Sequence, residues 1–180
     1  MRVVLLTETL QLTEATMAAW ERVLGHGKPI WISSESENFG LGGDLSQGGF
    51  DSEADGAAAQ ALTPYQTLLE RLMEYAHPII VTCHGHTRGG SMAFPCVADL
   101  VIATEEATFG FPEIRRGALP GLVSVVAQRR IGPHECRRLM LLGDAFGVEH
   151  GQKIGLVDQM YDAVNKSEEE KVKTWLATWN

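Results

Sequence analysis

The amino-acid sequence predicts an α/β protein with a mainly parallel sheet. Short runs of aliphatic and β-branched residues alternate along the chain with longer segments whose apolar residues recur at helical spacing. Glycine and proline stand at many of the junctions between these segments, where turns are expected. Since strands that alternate with helices pair in parallel through right-handed crossovers, we expect repeated βαβ units around one core.

A strand, a helix and a second strand are predicted at the start of the chain. The aliphatic runs at 3–6 and 28–33 are typical of strands, and the amphipathic segment 13–24 between them is typical of a helix. Thr13 is suited to cap the beginning of this helix, and the glycines that follow it are suited to end it. These three elements form the first predicted unit.

A long loop separates this unit from the next. Residues 33–55 are rich in Ser, Gly, Asp and Glu, and loops of this length often carry function. Leucines at helical spacing then predict a helix over 57–75, which Pro78 ends just before a buried strand at 79–82. A glycine-rich turn at Gly89 leads into a further helix, so the alternation repeats.

Three more elements complete the predicted core, and a fourth forms the tail. A strand is predicted at 100–103, and helices are predicted at 122–130 and 135–142. The tail over 167–179 is also predicted to be helical, with Ser167 at the beginning of a capping box.

The length and composition of the chain favour a single globular domain. Its 180 residues leave room for one domain of typical size, about 150 residues. Hydrophobic residues make up 44% of the chain and charged residues 21%, which is the ordinary balance of a soluble globular protein. We expect a core over residues 1–165 and a helical tail over residues 166–180.

The formal net charge of -8 argues against a nucleic-acid partner, because phosphate binding depends on clustered Lys and Arg. Six arginines nevertheless lie within residues 115–138. They are suited either to attract a negatively charged ligand or to form a solvated helix face with surface ion pairs. The sequence leaves both interpretations open.

The three cysteines favour a reducing compartment. Cys83, Cys96 and Cys136 form no C-x-x-C pair, so neither a disulfide framework nor a zinc site is indicated. The six histidines show no ligand spacing either, and we expect no metal. The apolar run after Met1 is too short for a signal peptide or a membrane span, so we expect a cytoplasmic protein without a membrane partner. An excised domain of a longer chain would show the same features.

Four sequence blocks carry a resemblance to a known family. Residues 39–45 read F-G-L-G-G-D-L, and residues 84–91 read H-G-H-T-R-G-G-S, with A-D-L-V-I-A following at 98–103. Residues 107–114 read A-T-F-G-F-P-E-I, and residues 155–158 read G-L-V-D. In this order the blocks resemble the F-x-A-G-x-D-L, N-G-x-A-x-G-G-G and A-x-F-G-x-P-E-I motifs of the crotonase (enoyl-CoA hydratase/isomerase) family and its late G-L-V-D strand.

The resemblance implies a crotonase (ClpP-like) spiral of ββα and βαβ units, and usually a homotrimer. The N-terminal part is short, and the long C-terminal helical region of the family is mostly missing, so we expect a spiral abbreviated at both ends. The implied substrate is an acyl thioester, carried by coenzyme A or by the phosphopantetheine of an acyl carrier protein. No other cofactor is expected.

Three groups would carry the chemistry that the resemblance implies. An acyl thioester loses an α-proton only if its carbonyl oxygen can take up negative charge, which requires donors aimed at that oxygen. By motif position these donors are the backbone amides of Leu41 and Gly90, and Glu113 is the acid/base with a pKa raised by partial desolvation. The alternative for Glu113 is a surface carboxylate paired with Arg115 or Arg116.

Further residues are expected to bind substrate. They are Gly42, Asp44, His86, Arg88, Gly89 and Leu119. Arg88 is suited to grip a distal carboxylate of the substrate, or simply to pair at the surface. His84 and His86 could assist proton transfer, although histidines satisfied by the backbone are the commoner case. Cys83 is expected to be a buried strand residue.

One departure from the family pattern limits the choice of reaction. The hydratases of the family have a second glutamate where this chain has Ala93. Adding water is served well by two carboxylates, whereas one base can move a proton between carbons, so an isomerase or a specialised dehydratase is favoured. The segment 109–121 also resembles the crotonase-like enzymes of polyketide β-branching cassettes. The rival hypothesis is a catalytically silent crotonase-fold scaffold or binding protein.

Overall fold

The computed structural model describes residues 1–5, 9–10, 12–43, 55–161, 170, 172–174 and 177. The capping box predicted at Ser167 lies outside the described residues. The helical residues 170, 172–174 and 177 lie within the predicted tail helix.

The described chain alternates strands with helices, as the sequence predicts. The strands are β1 Arg2–Leu5, β2 Thr9–Leu10, β3 Ile30–Ser34, β4 Gly42–Gly43, β5 Ile79–Cys83, β6 His86–Arg88, β7 Leu100–Thr104, β8 Thr108–Gly110, β9 Ala145–Gly147 and β10 Gln159–Tyr161. The α-helices are α1 Glu14–Gly25, α2 Asp55–Met73, α3 Ala93–Val97, α4 Gly121–Ile131, α5 Pro133–Leu142 and α6 Val148–Lys153. Short 3-10 helices lie at Gly89–Met92 and Pro112–Arg116.

Within the described residues, the main sheet has five strands in the order β1-β3-β5-β7-β10, and all four of its pairings are parallel. Because the order of the strands in the sheet follows the chain, successive crossovers move steadily across it. A second sheet has the order β6-β8-β9, and β2 pairs with β4. The prediction of a mainly parallel α/β sheet is confirmed.

The two faces of the main sheet are covered by different parts of the chain. The larger core packs on one face and includes Ile32, Val81 and Val101. The opposite face buries a smaller cluster in which Trp31 of β3 packs near Val172 of the tail. Alternate residues of a strand point to opposite faces, which explains how neighbouring residues of β3 enter different clusters.

The caps and ends of the helices follow the sequence signals closely. Thr13 caps α1, and its hydroxyl accepts a hydrogen bond from the amide of Thr16 at 3.3 Å. The prediction placed a helix over 57–75, whereas α2 ends at Met73, before Pro78.

The G-L-V-D block is not itself the late strand. The amides of Leu156 and Val157 both donate to the carbonyl of Gly151, at 2.8 and 3.1 Å, which closes a turn after α6. The strand β10 begins only at Gln159, one residue after the block. The strand expected from the resemblance is therefore displaced toward the C-terminus.

Candidate active site

Two segments that are distant in the sequence lie side by side in the fold. The amide of Gly40 donates to the carbonyl of His86 at 3.1 Å, and the amide of Arg88 donates to the carbonyl of Gly40 at 2.8 Å. These bonds form a parallel bridge between Gly40 and Thr87. The loop at residues 40–43 is thus held against the turn at residues 88–91, and we call this pair of segments the glycine junction.

Glycine is required on both sides of the glycine junction. Gly42 has φ of +89° and Gly89 has φ of +53°, and side chains are disfavoured in this region. A Cβ on Gly42 would lie 3.1 Å from both the carbonyl oxygen of Arg88 and the amide nitrogen of Gly90. The absence of side chains therefore lets the two backbones approach each other.

Two polar side chains hold the glycine junction together, and the sequence motifs indicate a role for neither of them. The buried hydroxyl of Ser91 accepts a hydrogen bond from the amide of Gly42 at 3.0 Å. The hydroxyl of Tyr65 on α2 donates to the carbonyl of Gly90 at 2.6 Å. Ser91 lies inside one of the sequence blocks that resemble the family, so its position in the sequence could have indicated a role at the site. Tyr65 lies outside all of these sequence blocks. The spacing of apolar residues in α2 indicates only that Tyr65 faces the interior.

The two amides expected to stabilise the thioester oxygen both belong to the glycine junction. Within the described residues, neither the Leu41 amide nor the Gly90 amide donates to a backbone carbonyl. Gly90 is the second residue of its 3-10 helix, so its amide has no acceptor inside that helix. The Leu41 side chain is exposed at this edge of the junction.

Glu113 lies against the same junction. Its Oε1 atom is 3.1 Å from the position that a Cβ on Gly89 would occupy. Its Oε2 atom is buried and has no hydrogen-bond partner among the described residues. Burial raises the pKa of the Glu113 carboxyl, while a backbone hydrogen bond and the charge of Arg116 oppose this shift. Arg115 instead pairs with Asp144, at 2.7 Å.

Arg88 and His86 are both bonded to Thr108 of the neighbouring strand β8. The Arg88 guanidinium donates to the Thr108 carbonyl at 2.7 Å and to its hydroxyl at 2.8 Å. The Nδ1 atom of the exposed His86 lies 2.8 Å from the same hydroxyl. His84 contacts the carbonyl of Ser36 through Nε2, at 2.8 Å. This geometry favours a structural role for Arg88 and His84, and burial lowers the Arg88 pKa.

The remaining candidates are spread more widely. Asp44 lies outside the described residues. Leu119 is 63% exposed, just before α4. Ala93, at the position of the second glutamate, is fully buried between Met92 and Phe94, so this position presents only apolar surface. Cys83 is buried in β5, and burial raises its thiol pKa to about 12, as for an unreactive strand residue.

Two negative findings apply to the part of the chain that the structure describes. None of its helices is both long enough and apolar enough to cross a membrane. It also brings no three His, Cys, Asp or Glu residues together in a group that could hold a metal ion.

Comparison with protein families gives one extensive match. Residues 10–180 match the family model described as "Enoyl-CoA hydratase/isomerase". Among curated proteins, the cyclohexa-1,5-dienecarbonyl-CoA hydratase of Thauera aromatica is 26% identical over 150 residues, 80% of this chain and 56% of that protein. The 2,3-dehydroadipyl-CoA hydratase of Escherichia coli (strain K12) is 30% identical over 131 residues, 72% of this chain and 50% of that protein.

A third curated relative is also named as a hydratase of a CoA thioester. The mevalonyl-coenzyme A hydratase of Aspergillus fumigatus is 31% identical over 137 residues, 73% of this chain and 48% of that protein. The chain therefore spans about half the length of the curated relatives it matches.

Solved structures establish the predicted fold. The human enoyl Coenzyme A hydratase domain-containing protein 3 superposes with a TM-score of 0.85 at 17% identity, covering 98% of this chain and 73% of that one. Pseudomonas aeruginosa AtuE superposes with a TM-score of 0.83 at 25% identity, covering 97% of this chain and 71% of that one.

Proposed function

This chain belongs to the enoyl-CoA hydratase/isomerase family, and from that premise we propose that it is an acid/base enzyme that stabilises the enolate of an acyl thioester. One observation carries the proposal. The Glu113 carboxylate lies against Gly89, and its buried Oε2 atom has no partner among the described residues. A carboxylate in this state has a lone pair available for a substrate proton.

The glycine junction is suited to bind the thioester oxygen. We assign that role to the amides of Leu41 and Gly90, because both belong to the junction and neither donates to a described backbone carbonyl. Backbone donors fixed in advance stabilise negative charge without needing to reorganise during the reaction. Loss of one such donor commonly lowers the rate by about 100-fold or more.

Glu113 would transfer the proton. Desolvation disfavours its charged form and brings its pKa closer to a neutral working pH, where a general base is most effective. A bound acyl group would exclude more water and strengthen this effect. The same carboxyl can take a proton from the α-carbon and return it to a neighbouring carbon or to a leaving hydroxyl group.

The apolar position at Ala93 narrows the class of reaction. Among the described residues, Glu113 is the carboxylate that lies against the glycine junction, so chemistry that a single base can perform is favoured, namely double-bond isomerisation or dehydration. The three curated relatives are named as hydratases of CoA thioesters, which supports a reaction that adds or removes water. Both classes pass through the proposed enolate.

The carrier and the assembly of the enzyme are also proposals. The relatives' names favour coenzyme A as the carrier of the acyl group. An acyl carrier protein, as in polyketide β-branching, is the second possibility that the sequence motifs suggest. The family resemblance further suggests a homotrimer and a cytoplasmic location, with Gly42, Asp44 and Leu119 near the bound acyl chain.

The test is the exchange of α-protons with heavy water in a panel of acyl-, enoyl- and 3-methylglutaryl-CoA thioesters. We expect the wild-type protein to catalyse exchange and the Glu113→Gln variant to lose at least about 100-fold of that rate. The matched control is Glu106→Gln, which changes an exposed carboxylate in the turn between β7 and β8. Full exchange by Glu113→Gln would overturn the assignment, and no exchange with any thioester would favour the silent scaffold.

A further inference from the structure

We propose that Tyr65 is a positioning residue of this site, which holds the Gly90 side of the glycine junction in the orientation that the proposed oxyanion amide requires. The inference rests on the proposed function. No motif of the family resemblance includes this residue, and it emerges from the hydrogen-bond geometry alone.

The contact that carries the inference joins a helix to a turn. The Tyr65 hydroxyl donates to the Gly90 carbonyl at 2.6 Å, across 25 positions of the sequence. It also lies 3.6 Å from the position that a Cβ on Gly90 would occupy. The phenol therefore rests directly against the backbone of the turn.

The helix that carries Tyr65 is firmly anchored. Leu68 and Leu72 lie three and seven positions after Tyr65, on the same side of α2, and both are buried in the core. Leu69 is buried beside them. The tyrosine ring thus projects from the fixed face of α2, and little movement of its hydroxyl is expected.

Arg88 and Ser91 hold the two ends of the turn against the loop at residues 40–43, and Tyr65 holds the Gly90 carbonyl between them. Gly89 and Gly90 carry no side chains that could anchor this part of the turn, and Gly89 adopts a positive φ. The Gly90 carbonyl accepts two hydrogen bonds, one from the Ala93 amide within the turn and one from Tyr65 outside it. Among the described contacts of Gly90, Tyr65 supplies the bond to a separate element.

The state of the phenol fits a fixed donor better than a proton shuttle. Burial raises the pKa of Tyr65, and the nearby Cys96 and Glu113 add to the effect. The hydroxyl therefore keeps its proton throughout the working pH range.

Displacement of the Gly90 amide, the proposed oxyanion donor, should affect catalysis more than substrate binding. Misplacement of a catalytic group by about 1 Å can cost about 100-fold in rate. Without the Tyr65 hydroxyl, the Gly90 carbonyl would keep only the hydrogen bond from the Ala93 amide of its own turn. The oxyanion amide would then point correctly for a smaller fraction of the time.

The experiment compares Tyr65→Phe with Tyr75→Phe. Tyr75 also donates to a backbone carbonyl at 2.6 Å, that of Lys28, and so offers the same chemical change outside the glycine junction. We expect Tyr65→Phe to lower the kcat for α-proton exchange by roughly tenfold, with KM changed by less than about twofold. The acid limb of its pH profile should not move, and Tyr75→Phe should match the wild type.

A second measurement separates this inference from the proposed function. Amide hydrogen exchange over residues 86–97 should become faster in Tyr65→Phe and stay unchanged in Tyr75→Phe. A wild type that exchanges no thioester would refute the proposed function, and the amide exchange would still decide whether Tyr65 holds the turn. The inference is overturned if amide exchange is unchanged, if Tyr65→Phe keeps the wild-type kcat, or if both variants lose activity equally.

Discussion

The backbone amide of Gly42 donates a hydrogen bond to the hydroxyl of Ser91 at 3.0 Å, across 49 positions of the sequence. Ser91 is only 1% exposed, so the bond is shielded from water. It joins the two halves of the glycine junction, one carrying the Leu41 amide and the other carrying the Gly90 amide. The distance between the proposed oxyanion donors therefore depends on this serine.

The variant Ser91→Ala removes the acceptor and leaves the Gly42 amide buried without this partner. We expect the free energy of unfolding to fall by about 1–3 kcal/mol, the usual cost of an unsatisfied buried donor. We also expect the rate of α-proton exchange to fall by roughly tenfold or more, since one side of the junction loses its register. Chemical denaturation and the heavy-water assay measure the two effects.

The matched control for this variant is Ser124→Ala. The Ser124 hydroxyl donates to the carbonyl of Gly121 in its own helix, at 2.6 Å, and takes no part in the junction. It should leave the exchange rate unchanged. If Ser91→Ala retained the full rate, the hydrogen bond to Gly42 would have no bearing on catalysis.

Alanine variants of Gly89 and Gly155 distinguish the effect of backbone strain on stability from the effect on activity of displacing the Glu113 carboxylate. In Gly89→Ala the new Cβ would lie 3.1 Å from Oε1 of Glu113, so the carboxylate must shift by a few tenths of an ångström. In Gly155→Ala, also at a positive φ, the nearest described atom is the Arg130 carbonyl at 3.9 Å. Both variants should lose roughly 1–2 kcal/mol of stability, the cost of the left-handed conformation.

Only the first of these two variants should lose activity. We expect Gly89→Ala to slow α-proton exchange by roughly tenfold or more, because the base no longer meets the substrate in its optimal position. Gly155→Ala should keep the wild-type rate in its folded fraction. Equal rates in the two variants would show that the contact between Gly89 and Glu113 is irrelevant to the reaction.

Arg116 should tune the pH dependence of the reaction. A general base works only when it is deprotonated, so activity should fall as the pH drops through the pKa of Glu113. Burial places that pKa above its usual value, and the charge of Arg116 partly offsets the rise. The variant Arg116→Gln should therefore shift the acid limb of the kcat profile to higher pH.

Arg115→Gln is the control for this shift, because Arg115 pairs with Asp144 at 2.7 Å. Its profile should overlay that of the wild type. An acid limb that moved equally in both variants, or in neither, would argue against Arg116 as the neighbour that lowers the pKa of Glu113.

The sequence blocks identified the participants of the glycine junction, but not how they are connected. Gly42, Gly89 and Glu113 come from three separate blocks, and the spiral of βαβ units brings them into contact. The roles of Ser91 and Tyr65 depend on hydrogen bonds across 49 and 25 positions, which no local pattern encodes. These two residues could be found only from the tertiary structure.

Two aspartates inside the matched blocks serve the fold instead of the site. The Asp99 carboxylate accepts a hydrogen bond from the amide of Ile79 at 2.7 Å, and Asp158 accepts one from the amide of Val101 at the same distance. Asp158 also pairs with Arg130. A residue of a family motif can thus serve to accept a hydrogen bond from the backbone amide of a strand. The sequence blocks therefore predict the fold more directly than the chemistry.

The short strands were missed for a related reason. The strands β6, β8 and β9 each have three residues, too few for alternation to be visible in the sequence. They form because their neighbours supply partners, as Thr87 pairs with Phe109 and Phe109 pairs with Phe146. The longer buried strands β3, β5 and β7 needed no such context and were predicted correctly.

The proposed base should also make the protein less stable as the pH rises. The pKa of Glu113 is higher in the folded protein than in the unfolded chain, where the pKa of a glutamate is about 4.3. Folding therefore favours the protonated form, and the stability present below about pH 4 is partly lost as the pH rises through the folded pKa. Glu113→Gln cannot ionise, so it should melt at a higher temperature than the wild type at about pH 8 and at a similar temperature near pH 4.

Glu135 provides a control of opposite sign. Its hydrogen bond from Arg138 is the main cause that lowers its pKa to about 2. Its stabilising contribution is present above about pH 4.3 and is lost as the pH falls toward 2. Thermal melts should thus show Glu135→Gln below the wild type at about pH 8, where Glu113→Gln lies above it, because one carboxylate is ion-paired and the other is desolvated. A Glu113→Gln variant that melted below the wild type at about pH 8 would contradict the view that Glu113 is held in its site at the expense of stability.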